Sequence, residues 1–193
     1  MDAIVLAGGS AVRLGGANKA LLRVGGERFI DRILRTLAPL FDSVTIVSGD
    51  PRPYEGLGAR VIRDEREGVG PLMGLYSGLK ASRGDASFVT AVDTPLVNAK
   101  LVERLLRVEG SCDALVPKWN GNLEPLCALY TRRCLPHVER VLEQRRIVSF
   151  FPLVRVCYLE ETEVAELDPL GRSFLNVNSP ADYDALRSIV EGG

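Results

Sequence analysis

The chain is 193 residues long, 46% hydrophobic and 25% charged, with a formal net charge of -1. This length suits one domain, expected over residues 1–193, with a sizeable core. The near-neutral charge excludes a general nucleic-acid or membrane-surface footprint.

No apolar run approaches a membrane span, and Met1 leads at once into Asp2 and a strand, so neither a membrane segment nor a signal peptide is expected. Residues 3–7 form a short apolar run ended by Gly8-Gly9, the pattern of a buried parallel strand. The glycines permit positive φ and close approach to a ligand, and successive N–H groups in such a loop form an anion site. Arg13 and Lys19 add two cations, so the stretch reads as a phosphate-gripping loop. It is neither a Walker A loop, since no Gly-Lys pair occurs, nor a Gly-x-Gly-x-x-Gly fingerprint.

Gly25-Gly26 marks a hairpin turn after residues 20–24. Residues 29–40 read as an amphipathic helix with Ile30, Ile33, Leu34 and Leu37 on one face and Pro39 at its end. Strands follow at 44–48 and 60–63, the second delivering Asp64. Pro71 opens a helix to about residue 82, with Leu72, Leu75, Tyr76 and Leu79 inward. A strong strand at 86–92 ends at Asp93-Thr94-Pro95, and Asn98 caps a helix through Leu106.

This alternation predicts a three-layer α/β/α sandwich with a mostly parallel, Rossmann-like sheet. A strand at 113–117 continues it. The pattern then changes: strands at 125–130 and 154–159 and a helix at 135–144 are expected as antiparallel additions at a sheet edge. Ser179, Pro180 and Asp182 mark the start of a C-terminal helix to about residue 190.

Cys112, Cys127, Cys134 and Cys157 form no Cys-x-x-Cys pair, and with a single His137 a zinc site is not expected; four thiols in a reducing cytoplasm are. Asp93 stands where a buried strand ends, the place where open α/β sheets bind ligands. A lone carboxylate beside a nucleotide loop suits Mg²⁺, which takes one or two carboxylates plus phosphates and water; a turn cap before Pro95 is the plainer role. Asp64 is either a nucleotide contact or a solvated loop acid. Asn176 and Asn178 would share one face of an extended segment, to orient a phosphate ester or to satisfy turn backbone. Trp119 is either loop packing or an acceptor contact.

The ordered set Leu6-Ala7-Gly8-Gly9, Lys19, Asp64, Gly70-Pro71-Leu72, Asp93 and Asn176-Val177-Asn178-Ser179-Pro180 resembles nucleotidyltransferases of the nucleotide-diphospho-sugar transferase fold. Within them it is most similar to the molybdenum cofactor guanylyltransferases, the MobA family, over nearly the whole chain. The resemblance implies transfer of GMP from GTP to the phosphate of molybdenum-molybdopterin in the cytoplasm, with Mg²⁺ on Asp93. It assigns catalysis to Arg13, Lys19 and Asp93. Nucleotide binding falls to Leu6, Ala7, Gly8, Gly9, Lys19, Asp64, Gly70, Pro71, Leu72 and Asp93. Acceptor binding falls to Glu124, Asn176 and Asn178, although Glu124 suits a surface acid equally. The resemblance allows transient contact with other cofactor-biosynthesis proteins and implies neither nucleic acid nor membrane. Two departures stand out. Val92 replaces a Cys that is common before the metal Asp, and the Val47-Ser48-Gly49 stretch lacks an Asn tied to base recognition, which leaves the choice of base open. Cytidylyl or sugar-phosphate nucleotidylyl transfer and a non-catalytic nucleotide-binding module are the rival readings.

Overall fold

The molecule is described here from a computed structural model, which covers residues 1–8, 18–66, 70–107 and 111–192. β1 (Asp2–Leu6) is buried along its whole length. Successive side chains of a strand point to opposite faces, so Ala3 and Val5 enter one core while Ile4 and Leu6 enter the other. A strand apolar on both faces needs a helical layer on each side, and the chain supplies both.

On the first face lie α1 (Phe29–Leu37) and α3 (Ala99–Leu106), which bury Ile30, Ile33 and Leu37, and Leu101, Val102 and Leu105. α5 (Glu161–Leu167) adds Val164 to the same core. On the second face lies α2 (Pro71–Ala81), joined by α4 (Leu135–Arg140) and a 3-10 segment, Ile147–Leu153. α2 sits very close to β1 because it has no side chain at the contact: a Cβ on Gly78 would lie 2.6 Å from Ile4 Cγ2, and one on Gly74 would lie 3.1 Å from Leu6 Cδ2. α6 (Pro180–Glu191) closes a smaller cluster with the β2 (Arg23–Val24) and β3 (Glu27–Arg28) hairpin. The expected capping box at Ser179 and Asp182 is present.

The remaining strands are β4 (Ser43–Ser48), β5 (Arg60–Arg63), β6 (Ala86–Ala91), β7 (Ala114–Trp119), β8 (Asn122–Leu123), β9 (Cys127–Thr131) and β10 (Val156–Leu159). The main sheet has eight strands in the order β10-β7-β9-β6-β1-β4-β5, with β8 paired to β7. β1, β4, β5 and β6 are parallel, as expected. The late strands depart in detail from edge additions. β9 is antiparallel but lies inside the sheet, bonded to β6 on one side and β7 on the other, whereas the edge strand β10 runs parallel to β7. Only short β8 is an antiparallel attachment outside that path. The helix expected over 29–40 ends at Leu37, and the one over 135–144 breaks after Arg140 into a 3-10 turn, Leu142–Gln144.

The cysteine expectation is corrected. Cys112 and Cys157 form a disulfide, with Cα atoms 5.7 Å apart, while Cys127 and Cys134 are free and buried. The bond staples β10 to the start of β7, a pairing invisible in a sequence where the two lie 45 residues apart. No helix among the described residues is long and apolar enough to cross a membrane.

Candidate active site

The carboxyl ends of β1, β4, β5 and β6 converge on a cavity of about 520 Å³. Its floor is Leu6, Ala7 and Gly8 after β1, Val47 at the end of β4, and Ala91, Val92 and Asp93 after β6. Asp64 enters from the end of β5, and Gly70, Pro71 and Gly74 contribute the first turn of α2. Gly70 has φ of 91°, a conformation for which glycine is suited, and so turns the chain into the helix that Pro71 begins. The Asp64 carboxylate lies between two glycines: Cβ atoms on Gly8 and Gly74 would come within 3.2 Å of Oδ2 and 3.6 Å of Oδ1.

At the opposite wall Lys19 Nζ donates to Asn178 Oδ1 at 2.7 Å and stands 3.5 Å from Asp93 Oδ2. Three residues far apart in the chain are thus joined. Backbone completes the junction, since Val177 N–H donates to the Asp93 carbonyl at 2.9 Å. Asp93 is not the turn cap. Thr94 does that work: its hydroxyl donates to the Ala91 carbonyl at 2.8 Å and lies 3.2 Å from Thr90 Oγ1. Asp93 Oδ1 is buried without a hydrogen-bond partner among the described residues. A carboxylate oxygen without a partner, in a residue that lines a cavity, is a donor suited to a hard cation. No group of three or more His, Cys, Asp or Glu gathers there among the described residues.

Of the residues singled out in sequence, Leu6, Ala7, Gly8, Lys19, Asp64, Gly70, Pro71, Asp93 and Asn178 line the cavity. Gly9 and Arg13 lie outside the described residues. Leu72 does not line the cavity; it is fully buried in the second core, because the residue after Pro71 faces the sheet. Asn176 and Asn178 do flank buried Val177, but Asn176 donates to the Phe174 carbonyl at 3.3 Å and does not line the cavity. Glu124 is also set back from it, although its neighbour Leu126 lines it. Glu124 is half-buried, and burial pushes its carboxyl up to about 7. Trp119 is packing: its ring lies 6.0 Å from that of Phe174, and a Cβ on Gly171 would overlap it. Sequence reading missed Asn18 and Arg66, which also line the cavity; Asn18 carried a signal, being a helix-capping residue before Lys19.

A Rossmann-like sheet whose strand ends bring Lys19, Asp64 and Asp93 to one cavity is an arrangement suited to a nucleotidyltransferase. Residues 3–156 match the model of the MobA-like NTP transferase domain, and the chain belongs to that family. It is 34% identical to the molybdenum cofactor guanylyltransferase of Desulfosudis oleivorans, over 100% of this chain and 98% of the relative. It is 36% identical to a probable molybdenum cofactor guanylyltransferase of Methanosarcina acetivorans, over 99% of this chain and 92% of the relative. The crystal structure of molybdopterin-guanine dinucleotide biosynthesis protein A from Archaeoglobus fulgidus superposes with a TM-score of 0.84 at 28% identity, covering 100% of both chains.

Proposed function

We propose that the chain transfers GMP from GTP to the phosphate of molybdenum-molybdopterin and releases pyrophosphate. The observation that carries this is the meeting of Lys19, Asp93 and Asn178 at one wall of the strand-end cavity, opposite Asp64. The names of the relatives supply the substrates.

In this reading an acceptor phosphate oxygen attacks the α-phosphorus in line, a new P–O bond forms, and the bond to the leaving pyrophosphate breaks. No protein base is needed, because the acceptor is already an anion. Lys19, together with Arg13 and the N–H groups after β1, including those of Gly8 and Gly9, offsets the triphosphate charge. Asp64 receives the base or ribose. Asn178 orients the acceptor, with Asn176 and Glu124 behind it. Asp93 would hold Mg²⁺, which when bound supplies charge neutralisation and orientation for the two phosphates. Residues 1–193 act as one unit, since the C-terminal Asn178 completes the site that β1 begins. The work is cytoplasmic, where GTP is available.

A thermal-shift and affinity panel of GTP, CTP, ATP and UTP with Mg²⁺ tests the assignment. GTP should bind at least about tenfold tighter than CTP, roughly 1.4 kcal/mol. CTP binding as tight as GTP would replace the guanylyl assignment with a cytidylyl one. Binding without pyrophosphate release on adding acceptor would reduce the chain to a nucleotide-binding module.

A further inference from the structure

Tyr54 lies outside the cavity, in the 3-10 turn Arg52–Tyr54 between β4 and β5, and is 1% exposed. Its ring packs in the core of the first sheet face, so burial alone would account for an aromatic residue here. It does not account for the hydroxyl. Asn18 Nδ2 donates to Tyr54 Oη at 3.1 Å, and Tyr54 Oη donates to the Ala7 carbonyl at 3.3 Å. Asn18 Oδ1 accepts from the N–H of Ala20 at 3.0 Å and also lies 3.2 Å from Tyr54 Oη, so both ends of the amide meet the hydroxyl. The result is a chain of bonds from Asn18 through Tyr54 to Ala7.

Ala7 and Asn18 both line the cavity, and they are the residues on either side of segment 8–17, the glycine-rich stretch. Asn18 caps the short 3-10 helix Lys19–Leu21, whose first residue carries the ammonium group facing Asp93 and Asn178. A hydroxyl that binds both ends of a segment holds them at a set separation before ligand arrives. Burial raises the Tyr54 pKa, so the group stays a neutral donor.

We propose that Tyr54 is a positioning residue for the nucleotide: its hydroxyl clasps Ala7 to Asn18 and so sets where Lys19 meets the triphosphate. This rests on the nucleotide-binding reading above.

The test is Tyr54→Phe, which keeps the buried ring and removes only the clasp. Ala7 retains a second donor, Ser48 Oγ at 3.3 Å, whereas the Asn18 amide loses its tyrosine. Measured well below the melting transition, the Kd for GTP should rise about fivefold or more, the value of a neutral hydrogen bond of about 1 kcal/mol, while the Tm of the free protein moves little. The KM for acceptor should be unchanged. Asn18→Ala, which also removes the cap on Lys19–Leu21, should show at least as large a loss, and the double variant no more than that loss, because the tyrosine acts through Asn18. A Tyr54→Phe protein that binds GTP as wild type does, or that loses Tm with no change in Kd, overturns the clasp. So do additive losses in the double variant. Wild-type protein that binds no nucleotide overturns the underlying reading, and the clasp with it, and is told apart by that first measurement.

Discussion

Asp93 and Glu124 are two acids in contrasting settings. Asp93 has one carboxylate oxygen buried with no partner among the described residues and the other 3.5 Å from Lys19 Nζ, while Thr94 secures the turn behind it. Asp93→Asn therefore keeps shape and fold and removes the charge that would draw a cation. GTP binding should gain little from added Mg²⁺, and transfer should fall by roughly two orders of magnitude, the scale of a lost electrostatic stabiliser. Wild-type activity with unchanged magnesium dependence would eliminate Asp93 and turn attention to Asp64. Glu124 is uncomfortable as an anion. Its carboxyl rises from 4.5 to about 7 through burial, so the folded state binds more protons than the unfolded one between those values. Stability from this group is therefore present at low pH, declines as pH rises from 4.5 to about 7, and is flat above. Glu124→Gln should remove that decline in a urea-midpoint series across the window; an identical slope in the variant would show that other groups cause it.

At the scale of elements, the contact of α2 with β1 is the one that sets the cavity wall, because Gly70, Pro71 and Gly74 reach the site only if the helix lies flat on the strand. Gly78 makes that approach possible. Alanine there would gain about 1 kcal/mol of helix propensity, but its Cβ would press into Ile4, which is completely buried in a central strand. Overpacking of this kind costs about 1–3 kcal/mol. Gly78→Ala should therefore lower the Tm by several degrees despite the better helix former. An unchanged or higher Tm would mean that the sheet yields. α5 shows how an element escapes a sequence reading: its capping box uses Glu160 and Glu163 in place of the usual Ser, Thr, Asp or Asn signal.

At the scale of the whole molecule, the disulfide and the cavity occupy opposite rims of the sheet. β7 runs in the direction of β6, so Cys112 precedes its amino end, whereas the cavity lies at the carboxyl ends. A bond closing a 45-residue span is worth about 4 kcal/mol in the chain-entropy account. Reduction, or the Cys112→Ser and Cys157→Ser pair, should lower the Tm by on the order of 10 °C and leave the Kd for GTP unchanged. Loss of GTP affinity at a temperature where the reduced protein is folded would show that the two rims are coupled.

Much of this protein follows from local pattern. The alternating apolar runs and helical periodicities are set by which side chains must leave water, and that is written in spacing. Hence β1, β4, β6, α1, α2 and α3 were legible, as was Asp93 at a strand end. The cap of α6 is equally local, fixed by backbone chemistry within a few residues. Tertiary structure alone decided the insertion of β9 between β6 and β7, since antiparallel pairing depends on strand order rather than on the strand's own residues. The same holds for the Cys112–Cys157 bond, the burial of Leu72 away from the cavity, and the meeting of Lys19 with Asn178 across 159 positions. It holds also for the hydroxyl of Tyr54, whose partners Asn18 and Ala7 lie 36 and 47 positions away. Sequence periodicity records burial along one element, whereas each of these contacts is a distance between elements, which only the packed sheet sets.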